Sequence, residues 1–267
     1  MSSAALGPVL GSGREADVYA HGAAGVLKLY RPGFGGHRAE AAALRSLEGH
    51  GIAPKLVGIV DRDGRTGLVV ERVPGFDMLA QLQRRPWQVL AAARSLAQAH
   101  LAVHRVTAAG DIADLRQALS ARIRDAALPQ PLLGYVLGVL DGLPDGDRLC
   151  HGDFHPGNVL RAEGRTAVID WSSAARGVPE ADHARTLMLL RWADPLPDTP
   201  AVSRAVIAAG RRLLTATYAR AYRHGSPPLR HIRSWLVVHM AARLGEDIPA
   251  ERAVLLARLE RARNGAA

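Results

Sequence analysis

The chain has 267 residues, 48% of them apolar, and a formal net charge of +9. That length and apolar content can bury a substantial core in one two-lobed domain or two small ones, which excludes a disordered chain. No run of eighteen apolar residues and no basic leader with an apolar core occurs, so neither a membrane span nor a secretory signal is expected, and a cytoplasmic location is the default. The single cysteine, Cys150, has no internal disulfide partner and reads as a small core residue.

In chain order, Val9 to Tyr19 has the form of two strands joined by a glycine-rich turn, in which Gly11, Ser12 and Gly13 let backbone amides approach phosphates. An ordinary hairpin would look the same, and Ala16 stands where a kinase-type turn has its third glycine. The next strand, Val26 to Tyr30, carries Lys28. Lys28 and Lys55 are the only 2 lysines beside 32 arginines, so a retained lysine in a strand is pointed: a compact ammonium fits between phosphate oxygens and a carboxylate where a planar guanidinium does not. Lys55 reads as a solvated surface charge. A helix over 37–47 offers Glu40 as the carboxylate partner of Lys28, with Glu48 in reserve. Gly67 to Val73 reads as a buried strand that ends at the Pro74-Gly75 break.

After that break the pattern turns helical. Trp87 to Val106 suits an amphipathic helix with His100 and His104 one turn apart; with no carboxylate near them in sequence, packing or capping is the expected role. Helices are predicted over 112–127 and 132–140, and later over most of 180–192, 201–223, 229–243 and 250–263.

Between these groups lies the most informative stretch, His151-Gly152-Asp153-Phe154-His155-Pro156-Gly157-Asn158, followed by Ile169-Asp170-Trp171. Phosphoryl transfer needs groups that orient a hydroxyl and hold magnesium near the phosphates, and Asp153-x-x-x-x-Asn158 has the spacing of a kinase catalytic loop. Short apolar runs at 159–160 and 166–169 flank a polar turn and form a hairpin that returns Asp170 to the level of Asn158. Asp153 would be the base, with Asn158 and Asp170 as metal ligands. Asp and Asn beside Pro-Gly are also common turn formers. A rival reading puts His151, Asp153 and His155 on one strand face as ligands of a transition metal, but it leaves Asn158 and Asp170 without a task.

HGDFHPGNVL followed by VIDW resembles the aminoglycoside phosphotransferase and choline-kinase-like branch of the protein-kinase fold. The resemblance implies an α+β, two-lobed protein-kinase-like fold, with a small β-rich nucleotide-binding lobe over 1–73 and a larger helical lobe over 74–267 that holds the catalytic loop and acceptor site. It implies transfer of the γ-phosphate of ATP (or GTP), with Mg2+, to a hydroxyl of a small molecule: an antibiotic such as an aminoglycoside, or a metabolite such as an amino alcohol or sugar. Asp153 would be catalytic and Asn158 and Asp170 would hold the metal. Gly11, Ser12, Gly13, Lys28, Glu40 and the backbone of Glu71 and Val73 would bind nucleotide, the side chains of the last two mattering little. Asp182 would brace the catalytic loop, as would His151. The alternative is a non-catalytic kinase-like nucleotide-binding or regulatory module; a protein kinase is disfavoured by the short segment after Asp170.

The excess charge sits in residues 176–267, with 15 basic against 8 acidic residues. The arginines are spread along helices without interleaved aromatics, which favours a solvated basic face over nucleic-acid binding. An aminoglycoside is a polycation and calls for an acidic cleft, for which Asp77, Glu180, Asp194, Asp198, Glu246 and Asp247 are the candidates.

Overall fold

The computed structural model describes residues 6–162, 164–192 and 201–265. The chain begins with β1 (Val9–Ser12), β2 (Ala16–His21), β3 (Gly25–Tyr30), the helix α1 (Gly36–Ser46), β4 (Leu56–Arg62) and β5 (Arg65–Glu71). These strands form one antiparallel sheet in the order β1-β2-β3-β5-β4, so β3 lies at its centre. Side chains alternate between faces along β3. Leu27 and Leu29 pack with Val69 on one face, while Tyr30 joins Ala16, Ala41 and Leu68 on the other, under α1. Lys28 shares the face of Tyr30, and this parity aims its ammonium at α1. The alanines of α1 let the helix sit close to the sheet, with Glu40 buried at 5% exposure. The sequence did not single out β4, because Val57 and Ile59 stay exposed and the strand carries no clean burial alternation.

Past Pro74-Gly75 come β6 (Phe76–Asp77) and α2 (Met78–Arg84), whose N-terminus is capped by the Asp77 side chain accepting from the Ala80 N–H at 2.8 Å. The long helix α3 (Val89–Val103) enters through a 3-10 turn at Pro86–Gln88, so it starts later than the apolar pattern suggests. Next come α4 (Leu115–Asp125), capped by Asp114, and α5 (Gln130–Asp141). Then β7 (Arg148–Cys150), β8 (Val159–Ala162), β9 (Arg165–Val168) and β10 (Ala175–Gly177) supply the short strands of the lower half. β8 and β9 form the expected hairpin, with Val159 opposite Val168; β6 joins its edge and β10 pairs with β7. The chain ends in α6 (Pro179–Trp192), α7 (Ala201–Gly225), α8 (Ile232–Leu244) and α9 (Pro249–Arg263).

Two apolar cores hold the helical part. One gathers α3 and α7 around Phe154 and Trp171, directly beneath the loop that follows β7. The other packs α4, α5, α6, α8 and α9 around Trp235 and includes the buried Cys150. No helix among the described residues is long and apolar enough to cross a membrane.

Candidate active site

The loop from His151 to Asn158 starts with a backbone constraint. Gly152 has φ +79°, and a Cβ there would sit 2.3 Å from the Ser173 carbonyl oxygen, so only glycine fits. The turn is held from below by Asp182 near the start of α6. Its Oδ2 accepts from the His151 backbone N–H at 2.6 Å and its Oδ1 from the Gly152 N–H at 2.9 Å. Oδ2 also receives His100 Nε2 at 3.0 Å and His104 Nε2 at 3.1 Å, while Tyr218 and Tyr222 hydroxyls lie 2.7 Å from the Nδ1 atoms of the same two rings. A buried carboxylate is tolerated only when its lone pairs are met, and here four donors meet them. Burial alone would raise the Asp182 pKa, but the hydrogen bonds from His100 and then from His104 hold it well below the ordinary range.

This cluster corrects the expectation that His100 and His104 have no carboxylate near them. Asp182, from another helix, lies between them, and the three ligand atoms fall within 4.8 Å of one another. The hydrogen bonds nevertheless close without a cation. Each imidazole donates from Nε2 to Asp182 and accepts at Nδ1 from a tyrosine, and Tyr218 in turn accepts from His183 Nδ1 at 2.9 Å. Phe154 stacks on His100 with ring centroids 3.9 Å apart and fixes the loop to the same cluster.

His151 is fully buried and ties the loop to the end of β9: Nε2 lies 3.0 Å from the Ile169 carbonyl oxygen and Nδ1 accepts from the Asp153 N–H at 3.2 Å. His155 turns instead toward Asp153, with Nε2 3.5 Å from Oδ2, and caps Gly157. Because the chain turns at Gly152, residues 151, 153 and 155 do not share a strand face, and the three-ligand metal reading fails.

Asp153 presents its carboxylate at the loop surface, with Arg185 Nη2 3.8 Å from Oδ1. Burial pushes its pKa up, but the His155 hydrogen bond and the charges of His155, Arg185 and His151 outweigh that and lower it to about 2. Asn158 is buried; its Nδ2 donates to the Asp153 carbonyl at 2.9 Å, and its own carbonyl accepts from the Ile169 N–H at 2.9 Å. Asp170 therefore follows one residue after a direct tie to Asn158. It adopts φ +64°, a left-handed conformation that aspartate tolerates better than most residues. Its Oδ1 contacts Lys28 Nζ at 2.8 Å and accepts from Ser172 Oγ at 3.1 Å. Lys28 Nζ also lies 2.6 Å from Glu40 Oε2, and that oxygen accepts a short hydrogen bond from the Tyr30 hydroxyl. Burial would lower the Lys28 pKa, but the charges of Glu40 and Asp170 prevail and raise it.

The structure thus joins Lys28, Glu40 and Asp170 in one chain of contacts and links Asn158, Asp153, His151 and Asp182 in another. Asp170 Oδ2 and Asn158 Oδ1 accept no hydrogen bond among the described residues, which leaves two hard oxygen donors of the kind magnesium takes. In the glycine-rich turn, Ser12 Oγ is committed to Asp17 Oδ1 at 2.7 Å, while a Cβ at Gly11 would meet nothing within 4 Å. At the end of β5, Val73 makes no backbone hydrogen bond among the described residues. The Glu71 side chain, by contrast, has its own work: it accepts from Arg165 at 2.5 and 3.1 Å and from the Lys55 N–H at 3.1 Å, fastening the upper sheet to the β8–β9 hairpin. Glu48 is exposed, as is Lys55.

Sequence reasoning missed Tyr30, Tyr218, Tyr222 and Arg185. Only Arg185 left a local signal, three residues after Asp182 and so on the same helical face. Its Nε donates to the Gly152 carbonyl at 3.2 Å and its Nη2 lies 2.7 Å from Glu246 Oε1.

An antiparallel sheet whose half-buried lysine reaches a carboxylate on the adjoining helix α1 and another beyond the His151–Asn158 loop defines a protein-kinase-like fold of the type that small-molecule phosphotransferases use. Residues 7–224 match the phosphotransferase enzyme family, and the chain belongs to that family, as a small-molecule phosphotransferase. Solved structures share the fold at low identity. A choline/ethanolamine kinase family protein from Mesorhizobium loti is 17% identical with a TM-score of 0.62, over 97% of this chain and 87% of that one. Amicoumacin kinase hAmiN, in complex with AMP-PNP, Ca2+ and Ami, is 18% identical with a TM-score of 0.63, over 97% and 88%. A thermostable mutant of aminoglycoside phosphotransferase APH(4)-Ia, in ternary complex with AMP-PNP and hygromycin B, is 17% identical with a TM-score of 0.64, over 97% and 92%. No curated protein matches the chain in sequence.

Proposed function

We propose that the chain transfers the γ-phosphoryl group of ATP, or GTP, to the hydroxyl of a small molecule in a magnesium-dependent reaction in the cytoplasm. The observation that carries this reading is the Lys28 ammonium held between Glu40 and Asp170, since one cation bridges the sheet and the segment after the catalytic loop. In this reading residues 1–73 bind the nucleotide. Gly11, Ser12 and Gly13 cover its phosphates, Lys28 contacts the α- and β-phosphates while Glu40 fixes its direction, and the backbone of Glu71 and Val73 meets the base. Residues 74–267 supply the catalytic loop and the acceptor site.

Asn158 and Asp170 offer the oxygens for magnesium, which when bound neutralises charge on the phosphate oxygens. Asp153 orients the acceptor hydroxyl and takes its proton as the acceptor oxygen bonds to the γ-phosphorus. The bond from that phosphorus to the β–γ bridging oxygen breaks, and the nucleoside diphosphate leaves with the electron pair. A carboxylate with a pKa of about 2 is a weak base, so positioning is its main contribution and proton transfer follows late, as a loose transition state allows. His151 and Asp182 keep the loop in place.

The test is mass spectrometry for an added phosphoryl group on hydroxylated metabolites and antibiotics incubated with the protein, ATP and magnesium. Transfer that disappears in Asp153→Asn supports the reading. Transfer unaffected by that change removes Asp153 as the base, and no transfer to any acceptor argues for a nucleotide-binding module.

A further inference from the structure

The helical half holds a cavity of about 470 Å³ between α5, α8 and α9, with Trp192, the last residue of α6, in its wall. Proteins take small molecules in cavities of roughly 300–1,000 Å³. None of its lining residues belongs to the phosphotransfer site. Val139, Leu236 and Met240 make part of the wall apolar, at the margin of the core around Trp235.

Three arginines line the same space, Arg233 at the start of α8 and Arg258 and Arg261 on α9, and no carboxylate among the described residues does. The guanidinium carbon of Arg258 lies 4.5 Å from the centre of the Trp192 ring, which holds it against the wall. Its Nε is buried yet has no hydrogen-bond partner, where most buried polar atoms have one. Arg233 and the Tyr135 hydroxyl also make no hydrogen bond or ion pair among the described residues. Arg261 uses only its Nε, on the Ala257 carbonyl of its own helix at 3.3 Å.

The acids that could offset this charge act elsewhere. Asp77 caps α2, and Glu180 accepts from the His231 N–H at 2.5 Å. Glu246 pairs with Arg185 at 2.7 Å and with Arg243, while Glu260 pairs with Arg263 at 3.0 Å. Asp247 is exposed and does not line the cavity. Asp194 and Asp198 lie outside the described residues. An inorganic anion would meet the arginines but leave the apolar wall wet, and an apolar molecule would cover the wall but leave the buried Nε without an acceptor. A ligand that carries both parts matches the whole surface. Guanidinium groups are suited by their fork of donors to a carboxylate or phosphate head.

We propose that this cavity is a binding site, separate from the phosphotransfer site, for a small organic anion with a carboxylate or phosphate head on an apolar body. The inference stands independently of the phosphotransferase reading.

The full chain is titrated calorimetrically with naphthoate and naphthyl phosphate, with naphthalenemethanol as the same body without charge and inorganic phosphate as the charge without the body. The inference expects saturable binding of at least one naphthyl anion, at least about tenfold weaker in Arg258→Gln and weakened in Arg261→Gln. Arg261 is exposed, so its variant keeps the fold and decides the matter should Arg258→Gln not fold. Binding should be unchanged in Arg263→Gln, which removes a surface charge outside the cavity, and should not be displaced by AMP-PNP with magnesium. The tighter of the two naphthyl anions identifies the head. The proposal is overturned by no binding of either anion, by equal binding of naphthalenemethanol, or by equal binding of inorganic phosphate, which would mean an adventitious ion only. Equal loss in Arg263→Gln would make the effect one of general surface charge, and displacement by AMP-PNP would place the anion in the nucleotide site; either result also overturns it.

Discussion

Lys28 Nζ lies 2.8 Å from Asp170 Oδ1, across a separation of 142 residues, and 2.6 Å from Glu40 Oε2. The ammonium is 15% exposed, and Glu40 is more deeply buried beside it. Removing it strands a carboxylate away from water. Lys28→Ala is therefore expected to cost about 3 kcal/mol of stability in urea unfolding, the usual size for breaking a buried pair. Lys28→Arg keeps the charge but brings a planar fork into a space that fits a compact ammonium, so it should restore stability more fully than phosphoryl transfer. Equal recovery of both would show that charge alone matters there.

Asp182 makes a second prediction. Four donors converge on its two oxygens, and replacing it with asparagine puts an NH2 group where an acceptor is required. Asp182→Asn should destabilise the chain by about 3 kcal/mol or more. It should also loosen Gly152, so transfer should fall further than nucleotide affinity. A variant with wild-type denaturation and turnover would remove Asp182 from the support of the loop.

Buried imidazoles set the response to acid. Burial lowers the pKa of His100 to about 3, of His183 to about 2 and of His239 to about 3. In the unfolded chain each titrates near 6.5, so below that pH the unfolded state binds more protons and gains relative to the folded one. The stability these rings contribute is fully present above about pH 6.5 and is lost as pH falls toward the folded values. Asp182, also depressed, adds to the loss at the acid end, below the ordinary aspartate pKa. Unfolding free energy measured against pH should decline steadily below about pH 6.5, with a shallower slope in His239→Gln. A flat profile down to about pH 4 would contradict the burial of neutral rings.

Arg185 touches both the carboxylate of Asp153 and the carbonyl of Gly152, and Glu246 holds it there. Its charge helps keep the Asp153 pKa near 2. Arg185→Gln should raise that pKa, so the acid limb of the pH–rate profile should move to higher pH while the Michaelis constant for ATP changes little. An unchanged limb would confine Arg185 to a structural role.

What the sequence disclosed follows distance along the chain. The hairpin of β8 and β9 was readable from a polar turn between two apolar runs, and the spacing of Asp153, Asn158 and Asp170 lies within eighteen residues. Lys28 stood out because arginine supplies nearly every other positive charge. The network under the loop was not readable, since His100 and Tyr218 are 118 residues apart and meet Asp182 only when α3, α6 and α7 pack. The Glu71–Arg165 pair was hidden for the same reason, being 94 residues apart. Arg185 was hidden by composition, because one arginine among 32 carries no signal until its neighbours are known.

Asn158, Asp170 and Lys28 are expected to act as one nucleotide–metal site. The most direct measurement is the affinity of the purified chain for AMP-PNP, with and without magnesium, in wild type, Asp170→Ala, Asn158→Ala and Lys28→Ala. It should show magnesium-dependent binding that weakens at least about tenfold in each variant, with Asp170→Ala losing the magnesium dependence. Undiminished, magnesium-dependent binding in Asp170→Ala and Lys28→Ala would contradict the account.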